Sequence, residues 1–206
     1  METLTDHFTE IVALQKQMGY TFPTLLRPAA TLSEISAIEK RIEVSFNPEL
    51  MELYRFADGT IVHPELPLGK IGLIPIYRLM SLSDAADCYW MYKNQLGFDL
   101  FEEWETGYKP GEKLFPFLED SGGDYYWVDL NDGTENYSKI YWTNTYPSSP
   151  GYTFLSLSSM FRTICEAYKD RIFFLDAEGY LDEDYDRWYE LARANNPGLT
   201  FWIQQD

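Results

Sequence analysis

Carboxylates are the side chains of this sequence whose type and spacing could do chemistry. Asp182, Glu183, Asp184 and Asp186 crowd into five positions, and Glu119, Asp120 and Asp124 flank the pair Gly122-Gly123. Such groups can act as an acid/base couple, hold a cation, or present a negative field to a basic protein. An acid/base couple needs two carboxylates at a defined separation, and a chain this rich in acids singles out no pair. The run Asp129-Leu130-Asn131-Asp132-Gly133 starts like a calcium loop. Its glycine comes one place early, however, and no glutamate closes it. His7 and His63 are the only histidines, and His63 precedes Pro64 with no Cys or His at a ligand spacing, which argues against zinc. Gly69-Lys70 lacks the upstream glycine and the following Ser or Thr of a phosphate loop. No serine sits in a nucleophile elbow. No catalytic residue, metal or cofactor is expected.

Both acidic groups also have structural explanations. A helix N-terminus favours carboxylates, which accounts for several of the four between Asp182 and Asp186. Glu119 to Asp124 reads as a polar turn joining two strands. The aromatic run Tyr125-Tyr126-Trp127 alternates faces in a strand, so one face enters the core and the other can expose rings as contact anchors. Tyr125 and Trp127 are the anchors chosen on this reasoning.

The charge balance narrows the partners. The chain of 206 residues carries 33 acids against 16 Lys and Arg, a net charge of −17. Residues 101–206 hold 20 of the acids and 8 of the bases, so the asymmetry is steeper in the second half. A field of this sign repels nucleic-acid phosphates and anionic lipid, and it attracts basic proteins. Solubility alone also accounts for an acidic chain. Hydrophobic residues make up 45% and aromatics 17%, enough for a real core. No apolar run reaches the roughly 18 residues needed to span a bilayer. Met1-Glu2-Thr3-Leu4 does not begin a secretion signal, so a cytoplasmic protein is expected. Cys88 and Cys165 stand far apart without metal-type spacing and are read as free buried thiols.

The elements that must position these residues read as follows. Leu4 to Met18 forms a helix ended by Gly19 and Pro23. Thr31 caps a second helix, with Glu34 placed to return the bond to the cap, and Leu32, Ile35, Ile38 and Ile42 on its apolar face. Asn47 caps a third, Pro48 suits its first position, and Asp58-Gly59 stops it. Ile71 to Tyr77 is an edge strand or strand end, and a helix runs from Ser81 to about Leu96. Phe98 to Glu112 is a surface stretch. Strands follow at Leu114–Leu118, broken by Pro116, at Tyr125–Leu130, and at Ile140–Thr143, joined by short connections that favour antiparallel pairing. Pro147 to Gly151 is loop. Ser156 or Ser158 caps the strongest amphipathic helix, with Leu157, Met160, Phe161, Ile164, Cys165 and Tyr168 on one face. Ile172–Leu175 is a short strand, and a last helix covers Asp182 to Ala194. This predicts one α+β domain: a mostly antiparallel twisted sheet with N-terminal and C-terminal helices packed around it. Residues 1–30 are an N-terminal helix and connector, 31–170 the core and 171–206 a C-terminal extension.

The order of these pieces resembles the SUKH superfamily, the group named after yeast cell-wall assembly and killer-toxin-resistance regulators. The residues that carry the likeness are the helix pair ending in Asp58-Gly59, Phe115-Pro116-Phe117, Gly122-Gly123-Asp124, the strand Tyr125–Leu130, Ile140-Tyr141-Trp142 and the helix Leu157–Phe161. The tail Gly179 to Tyr185, with Asn196-Pro197-Gly198 and Trp202, looks like the close of some bacterial members. Two positions depart from the usual pattern. Asn47-Pro48 stands where the family has Leu-Pro, and Asp58-Gly59 where it has Asn-Gly. Asn47 still caps, and Asp tolerates the turn nearly as Asn does, but the second swap weakens any ligand contact carried over to Asp58.

The resemblance implies a mixed α+β fold. For bacterial members it implies an immunity protein that binds and neutralises a cognate toxin, often a nuclease, by occluding its basic surface. The expected partner is therefore a protein, a basic toxin domain, with no direct nucleic acid or membrane contact. Asp58, Glu119, Asp120, Asp124, Tyr125, Trp127, Asp182, Glu183, Asp184 and Asp186 are the candidate contact residues. The alternatives are a regulatory or scaffold protein of the same fold without a toxin partner, and a small hydrolase working through carboxylates.

Overall fold

The computed structural model describes residues 2–62, 64–96, 113–120, 122–144 and 151–203. His63, the stretch from Phe98 to Glu112, Ser121 and Pro147 lie outside them. Two of the early helices start as their local chemistry dictates. In α3 (Leu32–Ile42), Thr31 accepts from Glu34 N–H and Glu34 returns the bond to Thr31 N–H, a complete capping box. In α4 (Pro48–Phe56), Asn47 accepts from Leu50 N–H at 2.8 Å and Pro48 occupies the first turn. α1 (Leu4–Gln17) carries a capping box of its own, Thr3 with Asp6. A four-residue helix, α2 (Phe22–Leu25), follows it. On α3, Ile35 and Ile42 are buried and Ile38 partly so, but Leu32 in the first turn is exposed.

The Asp58-Gly59 turn that ends α4 packs against the start of α5 (Leu82–Met91). Ser81 caps α5 through Asp84 N–H, and Asp58 accepts from Leu82 N–H at 2.7 Å, satisfying a further orphan donor of the first turn. Gly59 has φ +77°, and a Cβ there would meet Ser81 N at 2.5 Å, so only glycine fits. α5 runs on into a π-helical turn, Tyr92–Leu96, inside the span expected to be one helix.

Five antiparallel strands form the main sheet in sequence order: β1 (Arg78–Leu79), β2 (Leu114–Glu119), β3 (Tyr125–Asp129), β4 (Ile140–Thr143) and β5 (Gly151–Phe154). The strand expected at Ile71–Tyr77 begins only at Arg78. The residues before it turn, with Tyr77 N–H bonded to Ile74 C=O at 3.1 Å. Pro116 does not break β2; the register slips between Pro116 and Leu118, so the proline sits at a bulge. Leu114, Phe115, Phe117 and Leu118 are all buried because both faces of β2 are covered, which explains a continuous apolar run instead of an alternating one. Tyr89 of α5 and Phe46 and Tyr54 from the α4 region meet Phe115 on one face.

The chain closes with α6 (Leu157–Lys169), the hairpin of β6 (Phe173–Leu175) and β7 (Leu181–Glu183), and α7 (Tyr185–Asn195). Ser156 is the cap of α6, and all six residues expected on its inner face are buried. Two expectations need correction. Gly151 opens β5 instead of ending a loop. Asp182 and Glu183 belong to β7, so the helix dipole explains neither; α7 starts at Tyr185 with Asp184 as its cap. The terminal segment is fastened to the sheet. Trp202 Nε1–H donates to Thr153 C=O at 2.5 Å, and the buried Asn196 side chain accepts from Leu155 N–H at 3.1 Å and donates to Ala192 C=O at 2.9 Å. The result is one mixed α+β domain, with Trp188, Leu199 and Trp202 of the C-terminal extension in the same core as Phe8 and Trp127.

Candidate functional site

The sheet decides which rings reach the surface. Successive side chains of β3 point to opposite faces. Trp127 is fully buried and donates its indole N–H to Thr143 Oγ1 at 2.9 Å. Tyr125 lies on the same side, and Tyr92 packs edge-on against both rings, at 6.0 Å from Tyr125 and 4.9 Å from Trp127. This face sits beneath α5 and its π-turn, so Trp127 is a core residue and not a contact anchor, and Tyr125 is held in the same cluster. The opposite face carries Tyr126, whose partner across the β3–β4 register is Trp142. Tyr77 stands edge-on to Tyr126 at 4.9 Å, and Trp142 Nε1–H donates to the Tyr77 hydroxyl at 2.9 Å.

These rings floor a groove of about 490 Å³. The turn before β1 makes one lip, with Pro75 and Ile76. β7 and the start of α7 make the other, with Asp182, Glu183 and Tyr185, and Phe201 and Trp202 close an end. Asp124 reaches the groove from the β2–β3 turn. That turn is built by Asp120, whose carboxylate accepts from Gly122 N–H at 2.7 Å and Asp124 N–H at 2.8 Å. The groove therefore holds three carboxylates, and no lysine, arginine or histidine lines it among the described residues.

Glu183 is the unusual member. Burial, reinforced by the neighbouring Asp182 charge, pushes its carboxyl up to about 7. Tyr77 and Tyr126 beside it are raised in turn, by burial first and then by surrounding carboxylates that include Asp124 and Glu183. Asp182 is exposed on the rim.

Of the ten sequence candidates, the structure brings Asp124, Asp182 and Glu183 together. Asp58 caps α5 and lies 3.4 Å from Arg27 Nε. Glu119 pairs with Arg78 at the Tyr125 end of the hairpin, and burial raises its carboxyl although Arg78 pulls it down. Asp120 shapes its turn. Asp184 caps α7, and Asp186 is exposed in the first turn. Sequence reading missed Tyr77, Tyr126, Trp142, Ile76 and Phe201. Alternation in Tyr-Tyr-Trp shows that two faces exist, but not which is covered.

The fold and groove define a small α+β scaffold that presents an acidic, ring-lined hollow. Residues 29–166 match the SMI1 / KNR4 family (SUKH-1), and the chain belongs to that family. The match ends within α6, so β6, β7 and α7, which supply one wall of the groove, lie beyond it. No curated protein matches the chain. Among the described residues no helix is long and apolar enough to cross a membrane, and no cluster of His, Cys, Asp and Glu could hold a metal ion.

Proposed function

We propose that this chain is a non-enzymatic binding protein, an immunity protein that neutralises a cognate basic toxin by occluding it. Family membership fits an immunity or a regulatory role. The observation that carries the choice is the groove: acids and aromatic rings on a concave surface that no lysine, arginine or histidine lines among the described residues. A net charge of −17 guides a basic partner toward it. Rings that hold their positions by hydrogen bonds and ring packing bind with little loss of side-chain freedom. Occlusion by a rigid scaffold requires no turnover by the scaffold.

Co-expression with the toxins encoded beside its gene tests this directly. Survival restored to cells carrying the toxin supports the reading, and survival no better than with an empty vector counts against it. A regulatory role without a toxin partner predicts the second result and no adjacent toxin gene. A carboxylate-using hydrolase would use the raised carboxyl of Glu183 as a general acid; turnover of a small substrate lost on Glu183→Gln would select it over occlusion.

A further inference from the structure

We infer that the groove is a receptor for one arginine side chain presented by the protein partner, with the guanidinium against Glu183 and its plane over the half-buried ring of Trp142. This rests on the protein-binding reading above and specifies what the groove takes.

Charge complementarity selects the sign. Asp124 approaches the hollow from the β2–β3 turn and Asp182 and Glu183 from β7, and no basic side chain lines it among the described residues. Glu183 is partly withdrawn from water beside Asp182 on its own strand, and it shares the groove with Asp124 of the β2–β3 turn and the phenols Tyr77 and Tyr126. All are acidic. A carboxylate in such a place costs the free protein stability and is relieved by an arriving cation.

The rings select the kind of cation. A guanidinium is planar, stacks on aromatic faces and forks onto a carboxylate, whereas an ammonium is a compact, strongly hydrated point charge. A hollow of about 490 Å³ accepts a long side chain together with part of the segment that carries it.

The lips supply flanking contacts. Ile76 occupies the third position of the turn closed by Tyr77 N–H on Ile74 C=O, with φ +61°, a conformation that disfavours a β-branched residue. Its side chain is nevertheless 50% exposed, and Tyr185 across the groove is 58% exposed. Glycine would suit the backbone at Ile76 better, so the side chain there is held for what it meets outside. Strained residues of this sort gather at ligand clamps.

The test uses the isotope-labelled full chain at low salt and pH 8, titrated with the tripeptide acetyl-Leu-Arg-Leu-amide. The indole N–H of Trp142 reports from the groove floor, and that of Trp127 reports from the core. The expected result is a saturable shift at Trp142 with Trp127 unmoved. Binding should weaken at least tenfold when citrulline, the neutral isostere, replaces arginine in the peptide, and at least tenfold in Glu183→Gln. An unchanged core indole signal in that variant shows that it is folded. Equal binding of the arginine, citrulline and lysine peptides, or undiminished binding to Glu183→Gln, would overturn the inference. Toxin neutralisation that survives Glu183→Gln would overturn the groove assignment and leave the immunity reading standing. Specific arginine binding without neutralisation would do the reverse.

Discussion

Replacing Glu183 by glutamine keeps the shape of the side chain and removes a charge that the free protein does not compensate. The carboxyl stands at about 7 in the folded chain against an ordinary 4.5. Below 4.5 it is neutral whether the chain is folded or unfolded, and it costs nothing. Between 4.5 and about 7 the unfolded chain ionises while the folded one keeps its proton, so stability falls as pH rises. Above about 7 the cost is complete. The gap corresponds to about 3 kcal/mol at 1.36 kcal/mol per pH unit. Glu183 keeps part of its surface in water, and screening reduces this to ~1–2 kcal/mol. Glu183→Gln should therefore unfold at higher urea than the parent at pH 8, by ~1–2 kcal/mol, and match it near pH 4. Urea titrations of both proteins at the two pH values measure this. A variant no more stable than the parent at pH 8 would refute the claim that the groove holds an uncompensated carboxylate. A gain as large at pH 4 as at pH 8 would show that the effect is not ionisation. The same substitution is expected to weaken partner binding, so stability and function should move in opposite directions.

Ile76→Gly removes the strain of φ +61°. It should leave stability unchanged or raise it by up to about 1 kcal/mol in urea unfolding, where an ordinary exposed Ile→Gly change would lower it. Asn196→Ala removes the buried side chain's bond from Leu155 N–H, which ties the end of α7 to the segment after β5, and its bond to Ala192 C=O within α7. It should cost about 2 kcal/mol, and exchange of the α7 amides should speed up more than that of α3. Burial pushes the thiols of Cys88 and Cys165 up to about 12. Both should resist iodoacetamide at pH 8 and react once the chain is unfolded. Association with a basic partner should weaken between 50 mM and 500 mM salt through a slower on-rate, and an affinity indifferent to salt would remove the electrostatic part of the account.

Features written in a few adjacent residues were legible in the sequence. The caps Thr31 with Glu34, Asn47 with Pro48, and Ser156 are local bonds, and each stands where its spacing places it. The buried stripe of α6 is a period that one helix fixes alone. Features that depend on a distant partner were not legible. β7 looked like the acidic first turn of a helix because Asp182-Glu183-Asp184 satisfies that rule, and only pairing with β6 makes it a strand. β5 begins at a glycine whose partner, Trp142, lies on another strand.

The candidate site divides the same way. Three of the acids that line it, Asp124, Asp182 and Glu183, were among the sequence candidates, since clustered charge is visible in one dimension. Its rings lie on the face opposite Trp127 and were not among the candidates. Trp127 and Trp142 have similar neighbours in the sequence, and only the covering of one face by α5 sends the first to the core and leaves the second in the groove. Tyr77 and Ile76 come from a turn far along the chain and could not be joined to Tyr126 without the fold.

Calorimetric titration of the purified chain with any toxin domain encoded beside its gene, at pH 8 and low salt, tests the central claim most directly. The account predicts saturable binding by the parent protein and at least tenfold weaker binding by Glu183→Gln, although that variant is the more stable of the two. Equal affinities would contradict it.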